Sequence, residues 1–137
     1  MIYSISFNLK FLEHRFKREG FDVYIVLNDH EGIKQSAEKL ARVLQKAHEK
    51  YDHISFIGYS MGGLVGRYLI HKMPKFNYID SYTSIASPHM GSLTAEIAPW
   101  SKTAHEMKIN SDFINDFDIS EWPIQIPALA IQAERDL

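Results

Sequence analysis

No cysteine occurs among the 137 residues. That excludes disulfides, thiolate catalysis and Cys-based zinc sites. There is also no marked excess of either charge. Lys plus Arg is 15 and Asp plus Glu is 17, for a net charge of -2. Such a balance points to no nucleic acid and no anionic membrane as partner. No apolar run approaches the roughly 20 residues of a membrane span, so no transmembrane segment is expected. Met1 to Phe7 has no basic n-region, no long apolar run and no small-residue cleavage site, so it is not a signal peptide. That absence, with the lack of cysteine, favours a cytoplasmic location. Internal repeats and low-complexity tracts are missing too. What remains is an ordinary globular balance, 45% hydrophobic and 23% charged, and a length that suits one domain over residues 1–137.

The hydrophobic pattern alternates between two periods. Residues 2–7 are β-prone but short. Asn8 can cap a helix with Leu9, Leu12 and Phe16 on one face and Gly20 past its end. Phe21 to Leu27 is rich in β-formers and is predicted to be a buried strand. Asn28 to Gly32 is a polar loop. A helix is predicted from about Ile33 to Lys50, because Ile33, Ala37, Leu40, Ala41, Leu44 and Ala47 recur at three- and four-residue steps. His53 to Ile57 forms a second strand, Met61 to Lys72 a third helix stopped by Pro74, and Tyr78 to Ala86 a third β-prone run. Residues 87–127 are irregular, with four prolines, and Ala128 to Ala133 is a last strand. Strands alternating with amphipathic helices imply βαβ units, a mainly parallel sheet and right-handed crossovers. Ligands on such sheets bind beyond the carboxyl ends of the strands. Ser60, the loop after Ala86 and the loop after Ala133 all fall at that end.

One of those places carries a chemical motif. A short apolar strand leads into Gly58-Tyr59-Ser60-Met61-Gly62, and a helix follows at once. Gly-x-Ser-x-Gly in that setting is a nucleophile elbow. The turn is tight enough to strain the serine backbone, and a Cβ at Gly58 or Gly62 would clash with the neighbouring element. Ser60 Oγ is presented at the top of the sheet. The Met61 N–H at the helix start can donate to an oxyanion, and the helix dipole favours that charge. Gly63 and Gly66 suit close packing of this helix on the sheet. Asn28, Asp29 and His30 form a turn more readily than a metal site. No metal set, phosphate loop or cofactor is implied.

Gly58 to Tyr68 (Gly-Tyr-Ser-Met-Gly-Gly-Leu-Val-Gly-Arg-Tyr) resembles the nucleophile segment of α/β-hydrolase lipases and esterases. It is nearest to the bacterial lipase, PGAP1-like and serine esterase group. Tyr82 to Ser92, with its Ser87-Pro88-His89-Met90-Gly91-Ser92 ending, resembles the loop that follows the next strand in that group. The resemblance implies an α/β-hydrolase fold with helices on both faces of the sheet, and ester hydrolysis through an acyl-enzyme on Ser60. Arg67 and Tyr68 match the group, with packing or local pairing as their part. The expected order is Ser, then Asp or Glu, then His. Asp136, just past the last strand, fits the acid, with Glu134 as fallback. No histidine follows it.

His89 lies near the site by this resemblance, with a structural or substrate-side part, or as a substitute base. His30 and His105 are placed no better, His53 begins a strand, and His14, His48 and His71 fall on helices. Residues 1–8 contain no His-Gly loop. The chain is therefore expected to lack part of the first catalytic loop and the last strand with its histidine, a hydrolase fold truncated at both ends. The apolar segment 93–127 is either a lid or acyl-binding wall, or a plain crossover. The expected substrate is a small-molecule or lipid ester. The alternative is a catalytically inactive hydrolase-fold domain serving as a binding module. Exposed sheet edges would promote self-association.

Overall fold

A computed structural model of the chain describes residues 2–3, 9–26, 31–92, 102–116, 122–123 and 125–132. Among these residues, five strands form one parallel sheet: β1 (Ile2–Tyr3), β2 (Ile25–Val26), β3 (Ser55–Tyr59), β4 (Ser81–Ile85) and β5 (Ala128–Ile131). Their order is β2-β1-β3-β4-β5. The register pairs Ile57 with Ile2 on one side and with Thr83 on the other. The connections carry α1 (Leu9–Arg18), α2 (Ile33–His48), α3 (Met61–Lys72), α4 (Lys102–Glu106) and α5 (Asp112–Asn115), with a 3-10 turn at Pro74–Phe76.

The core lies between α2, α3 and one face of the sheet. The stripe Ile33, Ala37, Leu40, Ala41 and Leu44 is buried along α2, as its spacing predicts. It meets Leu64, Val65, Leu69 and Ile70 of α3, with Phe56 and Tyr82 from the sheet. Phe56 stacks on Tyr82 with ring centroids 5.8 Å apart. A Cβ at Gly66 would come within 2.3 Å of the Phe56 ring, so the glycine lets α3 lie flat on β3. Ser55 and Ile57 alternate with Phe56 and so look to the opposite face. There they line a cavity with Phe16 of α1. Helices thus lie toward both faces of the sheet.

Several strands are shorter than expected among the described residues, the β-prone run Tyr78 to Ala86 narrowing to Ser81–Ile85 and the last strand to Ala128–Ile131. The buried strand over Phe21 to Leu27 contracts to Ile25–Val26 among the described residues, with Phe21 58% and Tyr24 43% exposed. Among the described residues β2 is an outer strand paired only with β1. Phe21 instead folds back on α1, its ring edge-on to Phe16 at 5.7 Å. The strand expected at His53 to Ile57 starts two residues later. The Asp80 carboxylate accepts from the Ile54 N–H at 2.7 Å, which brings the chain into the sheet only from Ser55.

Candidate active site

β3 and α3 are joined through Ser60 alone. Ser60 has φ 51° and ψ -122°. A residue with a Cβ pays about 1–3 kcal/mol to sit in so sparsely populated a region. Two backbone bonds hold it there. Ser60 N–H donates to the Ile85 carbonyl at 2.8 Å, and Gly63 N–H donates to the Ser60 carbonyl at 3.1 Å. Close approach of strand and helix also requires glycine at position 58, where a Cβ would lie 2.5 Å from the Gly63 nitrogen and 2.7 Å from the Gly62 carbonyl carbon. Serine at a helix N-cap ordinarily satisfies an N–H of the first turn. Ser60 occupies that position in α3, yet its hydroxyl makes no capping bond. Met61 is the first residue of α3. Its N–H is one of those a helix start leaves without an intrahelical acceptor, and it lies at the positive end of the helix dipole.

The loop after β4 is built beside this elbow. Ala86 takes φ 49°, a left-handed conformation. Its N–H donates to the Ile131 carbonyl at 2.8 Å, and Gln132 Nε2 donates to the Ser87 carbonyl at 3.2 Å. The ends of β4 and β5 are thereby tied. His89 folds back so that its Nε2 and the buried Ser84 Oγ are 2.8 Å apart. Arg67 Nη1 of α3 donates to the His89 carbonyl at 3.3 Å. His89 Nδ1 is buried with no hydrogen-bond partner. The imidazole is paired through Nε2 with Ser84, a bond that a substitute base for Ser60 would have to give up. Its resemblance-implied structural part fits this geometry better. Arg67, expected to pack or pair locally, pairs with this loop and so forms a link between it and α3. The sequence signal was available: an arginine on the apolar stripe of α3.

Burial first, and the nearby Arg67 charge second, hold the His89 pKa down from 6.5 to about 4. Between those values the unfolded chain takes up a proton at this position and the folded chain does not. The stability that neutral His89 confers is complete above pH 6.5 and is lost as the pH falls toward 4. His89→Gln is expected to flatten this part of the stability–pH curve in urea unfolding. An unchanged slope between pH 6.5 and 4 would show that His89 is not the group responsible.

Of the remaining expected site residues, Gly62 lies buried in the first turn of α3. Asp136 and Glu134 lie outside the described residues. From the segment 93–127, residues 102–116 dock on the helices. Glu106 Oε2 accepts from the Ile33 N–H at the start of α2 at 2.6 Å. Phe113 stacks on Tyr68 of α3 at 5.7 Å, and Lys72 pairs with Asp116 at 3.0 Å. Ser92 N–H donates to the Met107 carbonyl at 2.8 Å, which joins this segment to the loop after β4. A cavity of about 380 Å³ lies elsewhere, lined by Phe16, Phe21, Tyr24, Tyr51 and His53 near the amino end of β3, away from Ser60. No helix among the described residues is long and apolar enough to cross a membrane.

This architecture has counterparts among solved structures. The mature form of Bacillus licheniformis lipase BlEst2 superposes with a TM-score of 0.70 at 16% identity, covering 82% of this chain and 53% of the lipase. Phospholipase PlaB from Legionella pneumophila superposes with a TM-score of 0.65 at 14% identity, covering 96% of this chain and 38% of the phospholipase. The chain thus spans about half the length of the lipase and less of the phospholipase. At such identities the likeness establishes the fold, that of the α/β hydrolases. No curated protein sequence matches the chain. Residues 27–111, well over half of the chain and including the elbow and the loop after β4, match the family described as "Putative serine esterase (DUF676)". The chain belongs to that serine esterase family.

Proposed function

We propose that this protein hydrolyses carboxylic esters through an acyl-enzyme on Ser60. The observation that carries this reading is the state of Ser60 itself. A serine is held at φ 51° at the head of α3, and its hydroxyl does not cap the helix. Strain of this kind persists only where the surrounding structure imposes it, and it clusters at functional sites. Membership of the serine esterase family and the fold of two lipolytic enzymes support the same chemistry.

In this scheme Ser60 Oγ forms a bond to the ester carbonyl carbon while a base takes its proton. The carbonyl π electrons move to oxygen, and the Met61 N–H donates to that oxyanion. Collapse breaks the bond to the alcohol oxygen, which leaves with the proton. Water then repeats the sequence on the acyl-enzyme and releases the acid. Asp136 is the acid that orients the base. His89 serves as a support of the loop after β4, not as the base. The substrate has an apolar acyl chain, with part of segment 93–127 as its wall or lid. The scheme requires no cofactor.

A fluorophosphonate probe tests this reading. Covalent labelling is expected in the wild type and absent in Ser60→Ala. A folded wild type that shows no Ser60-dependent labelling would overturn it in favour of a non-catalytic binding module.

Self-association belongs to the same proposal. Among the described residues β5 ends the sheet order, and all four of its residues are exposed, Leu129 by 55%. An outer strand presents unpaired backbone groups to another chain. Sedimentation velocity is expected to show concentration-dependent association that Leu129→Lys reduces. A monomer at every concentration would remove this part.

A further inference from the structure

We propose that Arg67 is a positioning residue of the Ser60 site. It holds the loop Ala86–Gly91 on the nucleophile helix and so steadies the end of β4 to which the Ser60 backbone is bonded. The inference rests on the reading of Ser60 as nucleophile.

The argument begins with where the charge sits. Arg67 lies on the stripe of α3 that includes Leu64 and Ile70, and only 6% of it is exposed. Burial lowers its pKa, but a guanidinium stays charged in a protein. Keeping a charge out of water costs several kcal/mol unless hydrogen bonds compensate. A leucine or methionine would fill that volume without the cost, so packing alone does not explain an arginine here. The bond from Nη1 to the His89 carbonyl gives the position a role that an apolar side chain could not fill.

The same loop is held at other points, and each leads back to Ser60. His89 is bonded to Ser84 inside β4. Ser87 rests against α3 so closely that a Cβ at Gly63 would fall 2.0 Å from its Oγ. One residue before the strained Ala86, the Ile85 carbonyl accepts the Ser60 N–H. Arg67 therefore closes a ring: Ser60 to the end of β4, along the loop to His89, and through Arg67 back down α3 to Ser60. Opening that ring removes one of the loop's ties, beside those to Ser84, Gln132 and Met107, and so loosens the acceptor that fixes the Ser60 nitrogen. The effect falls on the orientation of the nucleophile, hence on its maximal rate, and not on affinity for the reagent.

The test measures labelling of the full chain by a fluorophosphonate over a range of concentrations, with amide hydrogen exchange of residues 86–92 beside it. Arg67→Met keeps the volume and removes the bond. It is expected to lower the maximal labelling rate on the order of tenfold, leave the half-saturating concentration unchanged, and speed exchange in 86–92. Arg67→Lys, which restores charge and a donor, is expected to recover much of the rate. Wild-type maximal rate in Arg67→Met overturns the proposal. So does a change confined to half-saturation, or a loss that Lys does not relieve. If Arg67→Met does not fold, Ser84→Ala, which removes the side-chain anchor of His89, is expected to slow labelling, and a wild-type rate there overturns the proposal. If the wild type is not labelled at all, the nucleophile reading fails separately. Exchange then decides whether Arg67 holds the loop, and unchanged exchange in Arg67→Met overturns that as well.

Discussion

Ser60→Gly is expected to make the protein more stable and chemically inert at once. The serine sits at φ 51° and ψ -122°, where a side chain costs about 1–3 kcal/mol and glycine little. Glycine returns part of that gain, because its unfolded chain is freer by about 0.4–1 kcal/mol. A net rise of about 1 kcal/mol should remain, a few degrees in Tm for a domain of this size. Ser60→Ala provides the contrast. It keeps the Cβ and the strain, and no capping bond is lost, so its stability should match the wild type within about 0.5 kcal/mol. Both variants should lose fluorophosphonate labelling completely. In a serine hydrolase, removal of the nucleophile costs several orders of magnitude in rate. Paired thermal melts and labelling decide the matter. If Ser60→Gly melts no higher than Ser60→Ala, the elbow stores no strain. If either variant still labels, the reactive group is another residue.

Gly58→Ala is expected to damage both fold and chemistry. The new methyl would meet backbone on the far side, 2.5 Å from the Gly63 nitrogen and 2.6 Å from its Cα. Backbone inside a buried helix cannot rotate away as a side chain can. The start of α3 must shift by most of an ångström, at a cost of about 3 kcal/mol or more, the upper part of the range for overpacking. Ser60 and the Met61 N–H ride on that same turn. A displacement near 1 Å typically costs about a hundredfold in rate. Gly66→Ala separates the two consequences. Its methyl would press on the Phe56 ring, one and a half turns farther along α3. That variant should lose stability but keep most of its labelling rate in whatever fraction is folded. Equal rate losses in the two variants, measured on folded protein, would contradict the picture of an elbow set by the Gly58 contact.

The parts of this molecule that local chemistry dictates were legible in the sequence. α3 occupies Met61–Lys72 as expected, because the elbow glycines mark its start and Pro74 bars its continuation. The buried side of α2 followed from spacing alone. The strained conformation of Ser60 was implied by Gly-x-Ser-x-Gly between a strand and a helix, since so short a turn leaves the serine few conformations. Length and exposure of the strands were harder to read. Phe21 and Tyr24 are β-formers, but burial depends on what lies beside them, and among the described residues β2 has a neighbour on one side only.

Spatial order and long-range partners were decided by tertiary structure. The first strand in the sequence lies between the second and third in the sheet, an arrangement set by the crossovers and not by any residue in β1. His89 was placed near the site by resemblance, but which atom it bonds depends on how a loop folds back. It turned toward Ser84 and left its carbonyl to Arg67. Those residues are 5 and 22 positions away, and no periodicity connects them. The sequence by itself therefore determined the elbow, its strained serine and the helix behind it, because these follow from φ/ψ limits and helical spacing within a few residues. Only the tertiary structure decided how the loop after β4 is tied to that helix, because the tie depends on a buried charge finding a carbonyl, and chain order does not encode that distance.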